Sequence, residues 1–122
     1  MTDNILKEKS LLFAVRCVNL YKHLCVEKRE FILGKQMLRS GTSIGAKICE
    51  AQCAESIKDF VHKLHIALKE ANETQYWFEV MFKANILTEK EYESMNNDLT
   101  ELYAILTSII KTSKQKETAD SQ

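Results

Sequence analysis

The sequence predicts an all-α protein, an up-down-up-down antiparallel four-helix bundle, on three observations. It has no proline and only three glycines in 122 residues, too few turn formers for an all-β fold. Its apolar residues recur at three- and four-residue steps over four long segments, the period of helices that bury one face. Two segments open on capping-box patterns, Ser56-x-x-Asp59 and Thr88-x-x-Glu91. The connections are short, so consecutive helices are antiparallel neighbours. One domain of this length buries a real core without disulfides.

The first helix is expected from about Asp3 to Val26, with Asp3 or Asn4 as its cap. Leu6, Phe13, Cys17, Leu20 and Leu24 share one stripe, and Leu11, Ala14, Val18, Tyr21 and Cys25 share a second. A helix apolar over two faces is covered on more than one side, which makes a partner subunit a candidate.

The second helix is expected from about Arg29 to Cys53. Gly34, Gly41 and Gly45 fall on one side of it with Met37, Leu38, Ile44, Ile48 and Gln52. Three glycines on one face let another backbone approach closely, at roughly 1 kcal/mol each relative to alanine. The alternative breaks this helix at Ser40-Gly41-Thr42-Ser43.

The third helix starts at Ser56. Ile57, Phe60, Leu64, Ala67, Leu68, Ala71, Phe78, Met81 and Phe82 form its inner stripe, and Ile66, Trp77, Val80 and Ala84 a second one nearly opposite. A monomer exposing those side chains would carry an apolar patch. They are a second pointer to self-association. The fourth helix starts after Thr88, carries the stripe Tyr92, Met95, Leu99, Leu102, Tyr103, Leu106, Ile109 and Ile110, and ends near Lys111 to Lys114. Residues 1–114 then form the bundle, and 115–122 a polar, disordered tail.

The segment Leu38-Arg39-Ser40-Gly41-Thr42-Ser43-Ile44-Gly45-Ala46 is distinctive. Glu50-Ala51, Ser56-x-x-Asp59-Phe60 and Lys63-Leu64-x-Ile66-Ala67-Leu68-Lys69-Glu70-Ala71-x-Glu73-Thr74-x-Tyr76-Trp77 follow it. Together they resemble the bacterial four-helix bundle proteins of the 23S rRNA intervening-sequence family, over about residues 4 to 114. The resemblance implies a ring-like homopentamer and brings no established biochemical activity. The chain is also similar to the accessory variability determinant of diversity-generating retroelements, a related bundle that binds nucleic acid. It departs from the family at Lys47, Cys49 and Glu50, and from the basic retroelement relatives in its balanced charge.

Lys plus Arg is 17 and Asp plus Glu is 17, which argues against a strongly basic nucleic-acid binder. Split by hairpin the balance is uneven. Residues 1–47 hold nine basic and four acidic side chains, and residues 48–110 hold five and eleven. Lys28, Lys35, Arg39 and Lys47 are therefore the candidate RNA or DNA contacts, since a basic stripe tracks phosphates. The competing reading is a solvated face, or a basic surface turned to a neighbour's acidic hairpin. The candidate oligomer interface is Leu11, Val18, Tyr21, Ile66, Trp77 and Val80, with Tyr21 and Trp77 as anchors.

No catalytic residue is expected: the sequence has neither a Gly-x-x-x-x-Gly-Lys-Ser/Thr loop nor a Gly-x-Ser-x-Gly elbow. Cofactors and metals are not expected either. Asp59-x-x-His62 and His62-x-x-His65 lack the two Glu-x-x-His motifs of a di-iron bundle, and Cys49 with Cys53 supplies two zinc ligands of four. No apolar run reaches the roughly 18–20 residues of a membrane span. The cytoplasm, with reduced Cys17, Cys25, Cys49 and Cys53, is the expected location. The functional expectation is a non-enzymatic homo-oligomeric bundle of the kind this family resemblance implies, with RNA or DNA contact through the basic hairpin. The alternative is an oligomeric scaffold for a protein partner, and a small metalloenzyme ranks third.

Overall fold

A computed structural model describes the backbone of residues 2–121 and the side chains of residues 5–119. Four helices follow one another: α1 Thr2–Glu27, α2 Ile32–Ala51, α3 Ile57–Lys83 and α4 Glu89–Ser121. Each packs against its two neighbours around a square, and α1 with α4 is the loosest of the four contacts. The prediction of an antiparallel bundle from period and short connections therefore holds.

Local chemistry sets the ends. Ser56 Oγ accepts the Asp59 amide at 3.0 Å and opens α3. At α4 the box is reciprocal: Thr88 Oγ1 accepts the Glu91 amide at 3.1 Å, and Glu91 Oε1 accepts the Thr88 amide at 2.8 Å. α3 closes through Asn85, which takes φ 63°, while the Ile86 amide donates to Met81 O at 2.8 Å and the Asn85 amide to Phe82 O at 3.0 Å. These are the two bonds that satisfy the last carbonyls of a helix with a left-handed end. The α1–α2 corner turns at Arg29, φ 52°.

Four boundaries differ from the sequence prediction. α1 is already helical at Thr2, so Asp3 and Asn4 lie inside the first turn, and their side chains fall outside the described residues. α2 begins at Ile32, three residues late, with Phe31 at the cap position and the Glu30 side chain before it taking the first amides: Glu30 Oε2 accepts those of Leu33 at 2.7 Å and Gly34 at 3.2 Å. A carboxylate there also meets the positive end of the helix dipole. α2 ends at Ala51 and tightens into short-range turns through Ala54. α4 continues past Lys114 to Ser121, so residues 115–121 are helix where a disordered tail is expected; Gln122 lies outside the described residues. Nothing in this stretch breaks a helix: Lys, Gln, Glu and Ala extend it, and Thr118 Oγ1 donates back to Lys114 O at 3.0 Å.

The inner stripes converge on one core. Leu6, Phe13, Cys17 and Leu24 of α1 are buried with Met37, Ile44 and Ile48 of α2, Leu64, Phe78 and Met81 of α3, and Leu99, Leu102 and Leu106 of α4. Phe13 meets Phe78 edge to face at 6.3 Å, and Phe82 stacks on Tyr92 at 4.6 Å. α2 runs unbroken through Ser40-Gly41-Thr42-Ser43. All three glycines face α1. A Cβ on Gly41 would stand 2.5 Å from Cys17 Sγ, one on Gly34 3.2 Å from the Tyr21 ring, and one on Gly45 3.4 Å from Ser10.

Candidate interaction surfaces

The basic first hairpin spends its charge on the second. Arg16 reaches from α1 to α4, 2.5 Å from Asp98 Oδ2, 2.7 Å from Ser94 Oγ and 3.2 Å from Ser94 O. Lys9 pairs with Glu101 on the same seam. His23 Nε2 lies 2.9 Å from Glu91 Oε2, close enough for an ion pair but off line for a hydrogen bond. On the other side Arg39 reaches from α2 to α3, 3.4 Å from Glu70 and in contact with Glu73. Five of these pairs thus join one hairpin to the other within a single chain.

This fixes the surroundings of the four candidate phosphate contacts. Arg39 is held by two carboxylates, and Lys47 lies 3.1 Å from Glu50 one turn on. Lys28 and Lys35 are exposed and make no ion pair among the described residues, and Lys28 adds its field at Glu91. The four do not form one open cationic stripe, because α3 supplies counter-charges to the middle of it.

The α3 half of the predicted apolar interface is also engaged at home. Ile66, Trp77 and Val80 are half-buried rather than standing on a naked outer face. α3 packs against both α2 and α4, so its apolar arc must be wide. Trp77 packs on the core, stands edge-on to Tyr76 at 5.1 Å, and donates its indole N–H to Glu73 Oε2 at 3.0 Å. That bond, then the Arg39 guanidinium, holds the Glu73 carboxyl below its ordinary value. Tyr21 is half-buried beneath Gly34.

α1 is different. Leu11 is 63% and Leu12 60% exposed, with Ile5 and Val15 at 49%. Beside this ridge lies an apolar groove of about 200 Å³ between α1 and α2, lined by Leu11, Ala14, Thr42, Gly45, Ala46 and Cys49. Val18 is half-buried on the same side. Sequence periodicity finds Leu11 and Val18 but passes over Ile5, Leu12 and Val15. The available signal is that α1 has more apolar residues than two stripes can hold.

The second feature missed from sequence is the outer face of α3. Lys58, His62, His65 and Lys69 follow at four-, three- and four-residue steps, and Asn72 and Tyr76 continue the line. All but the half-buried His65 are exposed, and none of the four basic side chains makes an ion pair or hydrogen bond among the described residues. Counting charge by hairpin hides this stripe, because α3 and α4 together are acidic.

The hydroxyls of the distinctive segment are bound to backbone. Thr42 Oγ1 lies 2.8 Å from Leu38 O and Ser43 Oγ 2.6 Å from Arg39 O. Buried Ser40 meets Thr74 across the α2–α3 contact at 2.9 Å. Among the described residues no three His, Cys, Asp or Glu side chains are grouped to hold a metal. Burial pushes the Cys17 thiol up to about 12, while Cys49 and Cys53 are exposed free thiols. No helix of the described residues is long and apolar enough to cross a membrane.

Known proteins agree with this architecture. A crystal structure of a protein of unknown function from the S23 ribosomal protein family of Bacteroides thetaiotaomicron is similar, with a TM-score of 0.89 and 59% sequence identity. The match covers 91% of this chain and 99% of that one. No curated protein matches the chain. The family model described as 23S rRNA-intervening sequence protein matches residues 2–108. With nearly the whole bundle matched by sequence and by fold, the chain belongs to the 23S rRNA-intervening sequence protein family.

Proposed function

We propose that this protein is a non-enzymatic, self-assembling bundle whose copies join through the outer face of α1. The exposed ridge of Leu11, Leu12 and Val15 carries the reading. Each of these side chains gains roughly 1.5–3 kcal/mol when fully buried, so an open ridge is a strong drive to association. Ridge and groove stand side by side on one surface, and ridges pack into grooves when helices meet. A ridge seated in the next copy's groove is a heterologous contact, which closes into a ring when the rotation permits. The family resemblance sets the expected number at five.

Light scattering on the purified full chain at micromolar concentration tests the proposal. The wild type should show a single multiple of the chain mass, five by expectation. Leu12→Glu with Val15→Glu should dissociate it to monomers that keep the helical circular dichroism, because both sites are exposed. A wild type that runs as a monomer overturns the reading.

A further inference from the structure

We infer that the outer face of α3 is a binding surface for single-stranded nucleic acid, with Lys58, His62, His65 and Lys69 on the phosphates and Tyr76 stacked on a base. The inference is independent of self-assembly through α1. Three features of the face support it. At about 1.5 Å per residue the four basic groups stand about 4.5–6 Å apart along the helix, and Tyr76 lies about 27 Å from Lys58. Nucleic acid is a linear polyanion with one charge per nucleotide, about 3.4 Å of axis per strand when stacked. From Lys58 to Tyr76 the line also carries no acid, and the exposed Glu79 is its next member. Glu70 and Glu73 turn to Arg39 on α2, and Asp59 shares their side of α3 by the helical count. Finally, Tyr76 is 58% exposed and set edge-on to Trp77, which leaves a ring at the end of a line of two lysines and two histidines. Positive charge following the backbone, with an aromatic ring for a base to stack on, is how single strands are held without sequence preference.

Other anionic partners fit less well. The remaining exposed carboxylates with no ion pair, Glu8, Glu27, Glu55, Glu79, Glu89 and Glu93, are spread over α1, the α2–α3 turn, α3 and α4. Among the described residues they form no acidic stripe for a second copy of the chain to offer. A membrane surface needs apolar side chains to insert beside the cations, and along this line from Lys58 to Tyr76 there is no aliphatic one.

Fluorescence anisotropy with labelled oligo(U) and oligo(dT) single strands and a mixed-sequence duplex, on the full chain across salt, tests the assignment. The wild type should bind the single strands, with affinity falling as salt rises. Lys58→Gln with Lys69→Gln should weaken binding by about tenfold at low salt and flatten the logarithmic salt slope by about 1.4, two phosphate contacts' worth. Tyr76→Ala should weaken single-strand binding by about tenfold. Lys28→Gln with Lys35→Gln, on the other hairpin, should leave it within about twofold. These positions are exposed, and circular dichroism checks that the variants stay folded. Absence of wild-type binding at low salt, an equal loss in the Lys28–Lys35 variant, or tighter binding to the duplex than to the single strands overturns the inference. None of these outcomes touches the light-scattering result.

Discussion

Thr74 and Ser40 are buried hydroxyls in the middle of an apolar contact, and they are tolerated because they satisfy each other. Thr74 Oγ1 lies 2.9 Å from Ser40 Oγ and 2.8 Å from Glu70 O, and Ser40 Oγ lies 3.2 Å from Met37 O. Removing one hydroxyl leaves the other with only its bond to a backbone carbonyl in an apolar contact. Thr74→Val should therefore cost about 1 kcal/mol, and Ser40→Ala with Thr74→Val should recover most of it; urea unfolding of the three variants checks the cycle. Glu91 gives a pH prediction. Burial opposes its charge, but the Thr88 amide and hydroxyl, with His23 and Lys28 beyond, hold its carboxyl below the ordinary value. A depressed native value means a contribution that is complete above the unfolded pKa of about 4.3 and lost as pH falls through the native one. Melting temperature should fall on acidification through that window, and Glu91→Gln should fall less steeply. Both residues are visible in the sequence, Thr88 and Glu91 as a capping box. The Ser40–Thr74 bond is not, because it joins residues 34 positions apart.

At the scale of elements, α1 against α2 is the most exacting contact. Gly41 lets the helices meet where a side chain would collide with Cys17. In an open helix Gly→Ala stabilises by about 1 kcal/mol. Here Gly41→Ala should instead destabilise by about 1–3 kcal/mol, the usual cost of overpacking a core. Cys17→Ala should relieve part of that loss, since removing Sγ opens the space. Chemical denaturation of the single and double variants measures the coupling, and additive losses would count against the contact. Gly41 was legible as a helix-face glycine at the right spacing. That it meets Cys17 rather than a residue of α3 was not, because periodicity gives a face and not its neighbour. The same limit explains Trp77: its place on a second stripe was readable, but not the wide apolar arc that half-buries it between neighbours.

For the whole molecule, balanced charge turns out to be an internal matter. The acidic and basic hairpins meet within one chain through Lys9, Arg16, His23 and Arg39. Exposed pairs contribute about 0–1 kcal/mol each, against about 1.5–3 kcal/mol for each large apolar side chain fully buried. The core therefore holds the bundle, and the pairs favour this docking of the hairpins. Arg16→Asp, which sets like charges beside Asp98, should destabilise by about 1 kcal/mol. Arg16→Asp with Asp98→Arg should restore most of it, measured by urea unfolding. Failure of the swap to restore stability would assign the effect to Ser94, which Arg16 also bonds.

The sequence by itself determined the fold class, the four helices, two of their caps, the faces they bury and the family resemblance. Each of these rests on interactions within a few residues or on the 3.6-residue period, which a linear string records. Tertiary structure decided the rest. It showed which cations are already neutralised, which apolar side chains stay open on α1, and that the unopposed basic line lies on α3, inside the acidic hairpin. Those properties depend on which helix stands beside which. A net charge summed along the chain cannot tell a lysine facing a carboxylate from one facing water.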